Sequence, residues 1–386
     1  SFETKYISNN NIISFPTLSL LGFKYYESNN FSFQGPGSLG VDPDFDFIKS
    51  LYYPYQSSYN YPNKNVSLFT EHVFYFTENL SVTPGVRYER IITTSDGSFQ
   101  KINLDAANNP IFDTLIYNST INDRHFFLKG IGTSYKFNNH EFYINISQNY
   151  RSVTFSDISI FNPSFMIDSN ITDESGSTFD FGLRGFTDFI SYEISPFQIS
   201  YNNRIGFVQR LHENGSVKSV RSNIGKAKIS GIESLFVFNL RKIIKDAYRV
   251  NLFINTALIN SEYIDSEEKS IEGNNVEFVP KLNLKTGFTL GYKDVITNLQ
   301  FTYLSDQYTD ATNANSSNIS GIIGKIPAYN ILDFNSKYTI QNIQFEFGIN
   351  NLLNRSYFTR RATGYPGPGI IPSPLRNYYL TFQINI

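Results

Sequence analysis

Apolar and polar residues alternate with a period of two along most of this chain. In segment 141–150 the even-numbered positions up to 146 are Phe or Ile, whereas the odd-numbered positions are Glu, Tyr, Asn or Ser. The same alternation recurs in segments 280–290, 343–350 and 377–386. A stretch of about ten residues with this period is typical of a β-strand that has one apolar and one polar face.

Extended over the whole chain, this pattern predicts about fourteen β-strands and no helix. The predicted strands cover 17–28, 65–77, 79–94, 124–136, 140–150, 177–187, 191–210, 224–240, 247–264, 276–292, 296–308, 328–339, 342–353 and 375–386. Residues 1–6 are interpreted as the stub of an earlier strand. These strands are longer than the five or six residues usual in soluble sheets.

Short and long connections alternate between the predicted strands. The long ones cover 29–64, 95–123, 151–176, 211–223, 265–275, 309–327 and 354–374. In an antiparallel sheet, such alternation places all long loops at one end and all short turns at the other. Transmembrane β-barrels have this asymmetry, with long loops outside the cell. The sequence therefore predicts an all-β, transmembrane antiparallel barrel with these loops facing outward.

Composition separates this prediction from its main alternative, a soluble β-sandwich or a series of β-domains. The polar face of a soluble sheet meets bulk water and is usually dense in Lys and Glu. Here that face is mostly Asn, Ser, Thr, Gly and Tyr, and charged residues make up only 17% of the chain. The net charge of −2 gives no basic excess for nucleic acid. No apolar run approaches the roughly 18 residues of a membrane helix.

The sequence contains no set of residues that indicates catalysis or a resident cofactor. Zero cysteines exclude disulfides and thiolate metal sites. The four histidines are scattered without a metal-binding spacing, and neither a G-x-S-x-G motif nor a phosphate-binding glycine loop is present. We therefore expect a protein that is not an enzyme and has no cofactor of its own.

Five segments resemble the TonB-dependent outer-membrane receptors, most closely the ferric-dicitrate branch. They are Gly348–Phe358 (GINNLLNRSYF), the loop Thr359–Ser373, Gly22–Glu27, Thr83–Glu89 and Ser147–Asp157. They occur in the order expected for such barrels, so the resemblance covers nearly the whole chain. In this family about 22 strands enclose an N-terminal plug domain. The resemblance therefore implies that residues 1–386 are the C-terminal part of a barrel whose plug and first eight or so strands (about 22 less about fourteen) lie outside this sequence.

The resemblance also implies a function. We expect an active transporter in the outer membrane of a Gram-negative bacterium, importing ferric citrate or a siderophore. Its partners would be membrane lipid, its own plug, the ferric chelate and the TonB complex, which would bind the N-terminal region. Iron would be present only as part of the cargo. Two alternatives are a passive porin and an importer of glycan or peptide with a lipoprotein lid. An upstream plug and TonB-binding segment would favour the receptor.

Five residues are candidate ligand contacts. Paired guanidinium groups bind carboxylates through charge-assisted bonds, so Arg360 and Arg361 in the last loop suit an anionic chelate. Tyr365 lies in the same loop, and Arg151 lies at the outer end of its strand. Tyr55 belongs to a tyrosine-rich run that would form an aromatic floor for the ligand. For Arg360 and Arg361 the alternative roles are pairing with acidic loop residues or holding the Pro-Gly turn in place. For the tyrosine-rich run they are packing of the loop against its neighbours or a place in an interfacial aromatic girdle.

Overall fold

The computed structural model describes residues 1–34, 57–105, 107, 109–154, 165–168, 170–211, 217–244, 247–319, 321–362 and 369–385. Its strands are β1 (Phe2–Ile12), β2 (Phe15–Gln34), β3 (Ser57–Tyr75), β4 (Leu80–Leu104), β5 (Pro110–Phe137), β6 (His140–Arg151), β7 (Phe165–Ile167), β8 (Glu174–Phe186), β9 (Ile190–Leu211), β10 (Val217–Asn239), β11 (Tyr248–Ser266), β12 (Leu282–Tyr292), β13 (Val295–Leu304), β14 (Tyr329–Ile340), β15 (Ile343–Asn350), β16 (Phe358–Ala362), β17 (Gly369–Pro372) and β18 (Asn377–Ile384). A single-turn helix α1 (Arg241–Ile244) and a 3₁₀ turn (Lys269–Ile271) accompany them. No helix in these ranges has the length and apolarity to cross a membrane.

The chain divides into two compact units. The first comprises Ser1–Phe74 and Thr83–Lys129, and the second comprises Tyr75–Val82 and Gly130–Ile386. In the first unit, neighbouring strands from β1 onward pair antiparallel. β1 pairs with β2 over its full length, from Phe2↔Tyr25 to Ile12↔Phe15. Residues 1–6 therefore belong to a strand that precedes β2, as interpreted, and this strand continues to Ile12.

In the second unit the strand order is β5-β6-β8-β9-β10-β11-β12-β13-β14-β15-β18, with antiparallel pairing throughout. β7 adds a short parallel pairing to β10, and β16 and β17 form a separate hairpin. Each of the predicted strands has its counterpart among the observed ones. The all-β antiparallel fold class is therefore confirmed; within the described residues, the helical turn α1 and the 3₁₀ turn were not predicted from the sequence pattern.

Tight turns join many neighbouring strands, as predicted. Asn138 (φ 49°), Lys293 (φ 50°) and Gln341 (φ 48°) each lie in the left-handed region at such a turn. Two-residue hairpins prefer turns with positive φ because their twist matches that of the strands. These turns define the turn end of the second unit. The opposite end, with the connections 152–173, 212–216, 267–281 and 305–328, is called the loop end below.

Several predicted long loops are shorter in the structure. The prediction for 95–123 is wrong, because β4 continues to Leu104 and β5 starts at Pro110. The connection predicted at 211–223 shrinks to 212–216, and β2 and β3 extend well into 29–64. The strands of a hairpin pair through backbone hydrogen bonds whatever their side chains are. The strands therefore continue beyond the segments in which apolar and polar residues alternate. Residues 35–56 lie outside the described residues.

The two faces of the second unit differ in the way the alternation predicts. Phe142, Ile144 and Ile146 share one face and remain 50%, 49% and 46% exposed. On the other face, Asn298 accepts a hydrogen bond from Thr289 (2.7 Å) and donates one to Asn335 (2.7 Å). Large apolar side chains are thus exposed while polar side chains bond to one another across strands. This distribution suits a sheet whose apolar face contacts lipid.

Candidate ligand site

A cavity of about 490 Å³ opens at the loop end of the second unit, beside strands β6, β8, β9 and β10. Its lining includes three arginines, two glutamates and four aromatic residues. They are Arg151, Arg204, Arg221, Glu174, Glu277, Tyr150, Tyr201, Phe207 and Phe278. Of the five candidates named from sequence, Arg151 is the one placed here.

Arg151 is held by a carboxylate on the adjacent strand. It ends β6, and the strand register places it opposite Glu174, the first residue of β8. Its Nη1 lies 3.0 Å from Glu174 Oε1. Glu174 is buried, and the same oxygen accepts a hydrogen bond from the Ile205 main-chain nitrogen at 2.6 Å. The charge of Arg151 is therefore already balanced within the cavity wall.

Arg204 forms a second, more deeply buried pair. The side chains of Arg204 and Glu277 are 18% and 8% exposed, and Nη2 donates to Oε1 at 3.1 Å. The buried Tyr263 hydroxyl donates to Glu277 Oε2 at 2.6 Å. Arg204 follows Asn203, which has a φ of 52°, at an irregularity in the pairing of β9 with β10. Such bulges redirect side chains, and here one brings Arg204 to the cavity.

A third charged group fastens the 3₁₀ turn and the end of β7 to β9. Arg210 binds Asp168 and Glu268, each at 3.0 Å, and the Ser222 hydroxyl donates to Asp168 at 2.7 Å. The Asn170 main-chain nitrogen and then the Ser222 hydroxyl, as hydrogen-bond donors, hold the pKa of the Asp168 carboxyl below its usual range. This cluster positions the loops around the cavity.

Two aromatic rings of the cavity lie against arginine guanidinium groups. Arg204 Cζ lies 5.2 Å from the centre of the Tyr201 ring, and Arg221 Cζ lies 5.0 Å from that of Phe207. Its three arginines and two glutamates give the lining a formal charge of +1 (3 − 2), and the cavity combines hydrogen-bond donors with aromatic surface. In the described ranges, no group of three or more His, Cys, Asp or Glu is arranged to hold a metal ion.

Arg360 and Arg361 lie in β16 and are not among the described residues that line the cavity. Arg361 donates from Nη1 to the Gly321 carbonyl (2.8 Å) and from Nη2 to the Lys325 carbonyl (2.9 Å). Burial lowers the pKa of its guanidinium. Arg361 thus fastens β16 to the connection 305–328, whereas Arg360 is exposed. Tyr365 and Tyr55 lie outside the described residues.

Hydrogen bonds between two asparagines join two connections at the loop end. Asn275 donates its main-chain nitrogen to Asn313 Oδ1 (2.7 Å), and Asn313 Nδ2 donates to the Asn275 carbonyl (2.8 Å). Asp310, three residues away, is almost fully buried and accepts a hydrogen bond from Thr312 at 2.8 Å. Burial raises the pKa of the Asp310 carboxyl above its ordinary value. This carboxyl makes the connection sensitive to pH.

The stability of the connection 305–328 should fall as pH rises from the ordinary pKa of aspartate through the raised pKa of Asp310, and should level off above it. Within that window the folded chain still holds a proton that the unfolded chain has released. Amide hydrogen exchange of 309–313, corrected for intrinsic rates, measures this. Asp310→Asn should flatten the slope. Asp306→Asn, in the same connection but more exposed, should keep it; equal slopes in all three proteins would contradict the assignment.

An antiparallel sheet with exposed apolar residues on one face and bonded polar residues on the other is the pattern of a transmembrane β-barrel. Residues 2–352 match the model of the family described as TonB dependent receptor-like, beta-barrel. The chain belongs to this family, which confirms the resemblance seen in the sequence. Members of this family are transport proteins rather than enzymes, so the expectation that the chain is not an enzyme is confirmed as well.

Solved structures of receptors share this fold. The ferric citrate transporter FecA has a TM-score of 0.74 at 20% identity over 99% of this chain and 53% of its own. The ferric-catecholate import receptor Fiu of E. coli K12 has a TM-score of 0.74 at 12% identity, covering 99% and 54%. The ferric yersiniabactin uptake receptor FyuA of Yersinia pestis has 0.70 at 15%, covering 99% and 53%. No curated protein sequence matches the chain.

These identities are low, so the likeness shows the fold and not the cargo. The chain spans about half the length of the solved receptors that it matches. The cavity arginines Arg204 and Arg221 and the buried Glu277 were not among the candidates chosen from sequence. Their nearness to a predicted long loop was the available signal, with Arg221 inside the predicted loop 211–223, and Arg151 was found from its place at the outer end of its strand.

Proposed function

We propose that this chain is the barrel part of an outer-membrane transporter of a Gram-negative bacterium, and that it imports a ferric chelate. The observation that carries the proposal is the cavity of arginines and aromatic rings at the loop end of a receptor-family sheet. Solved structures with the same fold include a transporter of ferric citrate and receptors for a ferric catecholate and for ferric yersiniabactin. These neighbours support ferric chelates as the cargo class.

The partners of the whole protein follow from the same family membership. A plug domain and a TonB-binding segment would precede these residues in the full-length protein. TonB would transmit energy from the inner membrane to the plug, and the exposed apolar face would contact outer-membrane lipid. The protein would need no cofactor, since iron enters as part of the cargo.

Within this proposal, the two loop arginines have different tasks. Arg360 is exposed and available to an anionic chelate, whereas the terminal nitrogens of Arg361 are bonded to main-chain carbonyls. Arg151 would contribute through the cavity, and Tyr365 and Tyr55 remain candidate contacts. The pair is therefore better tested one residue at a time.

Arg360→Ala should weaken binding of an anionic ferric chelate by roughly 10- to 100-fold, the value of one charge-assisted hydrogen bond. Arg361→Ala should instead loosen the attachment of β16, and hydrogen exchange at 321–325 should accelerate. Isothermal titration and hydrogen exchange on the full-length receptor separate the two effects. Arg360→Lys and Arg361→Lys are the matched controls. Unchanged affinity of the Arg360→Ala protein for every anionic chelate that the wild type binds would return Arg360 to a structural role.

Uptake of radioactive iron tests the proposal as a whole. Iron-starved cells with and without the full-length gene should be supplied with ferric citrate, a ferric catecholate and a ferric hydroxamate. We expect saturable uptake of at least one chelate to depend on the gene. A passive porin would give uptake proportional to concentration, and an importer of glycan or peptide would give no iron uptake from any chelate.

A further inference from the structure

Phe278 has a backbone conformation that an aromatic residue rarely adopts. Its φ is 59°, in the left-handed region that favours glycine and asparagine. Its ring is nevertheless 53% exposed, so burial of the ring does not explain the conformation. Backbone strain of this kind persists where the surrounding structure enforces it, and it is concentrated at functional sites.

The residues around Phe278 enforce the conformation. Val276 is fully buried, and its main-chain nitrogen donates to Ser261 Oγ at 3.2 Å. Glu277 is fixed by Arg204 and Tyr263, as described above. The main-chain nitrogen of Phe278 itself donates to the Tyr308 carbonyl at 2.9 Å. The chain is thus anchored at three consecutive residues, which fixes the point on the cavity wall from which the Phe278 side chain projects.

The ring lies where two cavities meet. Phe278 lines the cavity of Arg151 and Arg204, and it also lines a neighbouring one of about 570 Å³. The second cavity carries the acidic side chains of Asp180, Glu193 and Glu233. Phe278 is thus placed to contact a ligand in either cavity.

The charges of the first cavity limit which ligands it suits. Arg151 and Arg204 are each paired with a glutamate, so a compact polycarboxylate would have to compete with Glu174 and Glu277 for the guanidinium groups. Repulsion from those carboxylates would add to the desolvation of the ligand's own charges. An aryl group, by contrast, needs no counter-charge and gains from offset or edge-to-face contact with a fixed ring.

We propose that Phe278 contacts the ligand and selects ferric chelates of low net charge that carry an aryl group, over small aliphatic polycarboxylates. This inference rests on the proposed function, and it narrows the cargo class of the same site. The ring provides the aromatic contact, the anchored backbone lowers the entropy lost in ordering this segment on binding, and the acidic second cavity disfavours strongly anionic cargo.

The test compares neutral ferric complexes whose three hydroxamate ligands carry either a phenyl ring or a methyl group. Ferric benzohydroxamate and ferric acetohydroxamate share iron coordination and charge, and ferric citrate serves as the anionic probe. Binding of each to the purified full-length receptor is measured by equilibrium dialysis with radioactive iron. The wild type should prefer the benzohydroxamate complex over the acetohydroxamate complex by about tenfold.

Phe278→Gly removes the ring while permitting the left-handed backbone, so the protein should remain folded and lose this preference. Phe278→Trp should retain it. Phe189→Ala, which removes an equally exposed ring at the turn end, should also leave it unchanged. Equal affinities of the wild type for both hydroxamate complexes, or an undiminished preference in Phe278→Gly, would overturn the inference. The proposed function would still stand if the cells took up iron from other chelates. Absence of binding and uptake for every ferric chelate would overturn both.

Discussion

Glu277→Ala should destabilise the second unit by about 3–5 kcal/mol, the usual cost of leaving one partner of a buried ion pair unpaired. The substitution strips the buried Arg204 of its counter-charge, and it removes the acceptor of the Tyr263 hydroxyl. Denaturant titration of the full-length receptor in detergent, followed by loss of β-sheet signal, measures the free energy of unfolding.

Two variants show whether this loss comes from burial. Glu277→Gln keeps an acceptor for Tyr263 and should fall between the wild type and Glu277→Ala. Lys269→Ala breaks the surface pair with Glu272, whose two side chains are far more exposed, and should cost much less than Glu277→Ala. If Glu277→Ala and Lys269→Ala had equal effects, the Arg204 pair could not be the support of the cavity wall.

Ile146→Arg should lower the stability of the protein in a lipid bilayer by about 2–4 kcal/mol, because it places a charge near the middle of the apolar face. Ile146 lies six residues from the start of β6, and its side chain is exposed on that face. Phe142, close to the turn end, should tolerate Arg at a cost of about 0–1 kcal/mol, as positions near the membrane interface do.

The opposite face provides the control. Asn145 donates a hydrogen bond to Asp180 at 3.2 Å, so an arginine at that position finds a carboxylate nearby. Asn145→Arg should therefore change the free energy of unfolding far less than Ile146→Arg. Refolding titrations in lipid vesicles compare the three variants. Equal effects of Arg at 145 and 146 would show that neither face contacts lipid.

The alternation of residues predicts the fold well in the segments proposed to cross the membrane. There Ile144 and Ile146 alternate with polar residues, as expected if one face of the sheet meets lipid and the other does not. Beyond that band the requirement ends, and the segments 95–104 and 110–123 stay paired through their backbones with side chains of mixed character. Their strand structure could not be predicted from a period of two.

The candidate site was predictable only in part, for a related reason. Arg151 continues the polar face of β6, so the local pattern identifies it. Its partner Glu174 lies 23 residues away along the chain, and 73 residues separate Arg204 from Glu277. Pairing over such distances is determined by strand register, which one sequence does not fix. The left-handed backbone of Phe278 likewise depends on contacts with Ser261 and Tyr308 that the sequence pattern does not show.

Arg361 illustrates how a residue type suited to ligand binding can serve the fold instead. The planar guanidinium matches a carboxylate, and it equally matches two main-chain carbonyls spaced as those of Gly321 and Lys325 are. Spacing along the chain does not distinguish these uses. The structure separates the two loop arginines, leaving Arg360 as the exposed one.

We propose that the full-length protein transports a ferric chelate actively. Iron uptake by cells expressing the full-length gene, with TonB present or deleted, tests this most directly when binding of the same chelate to both kinds of cells is measured alongside. We expect deletion of TonB to abolish uptake and to leave binding at the cell surface intact. Uptake that continues at the same rate without TonB would contradict it and would indicate a passive channel.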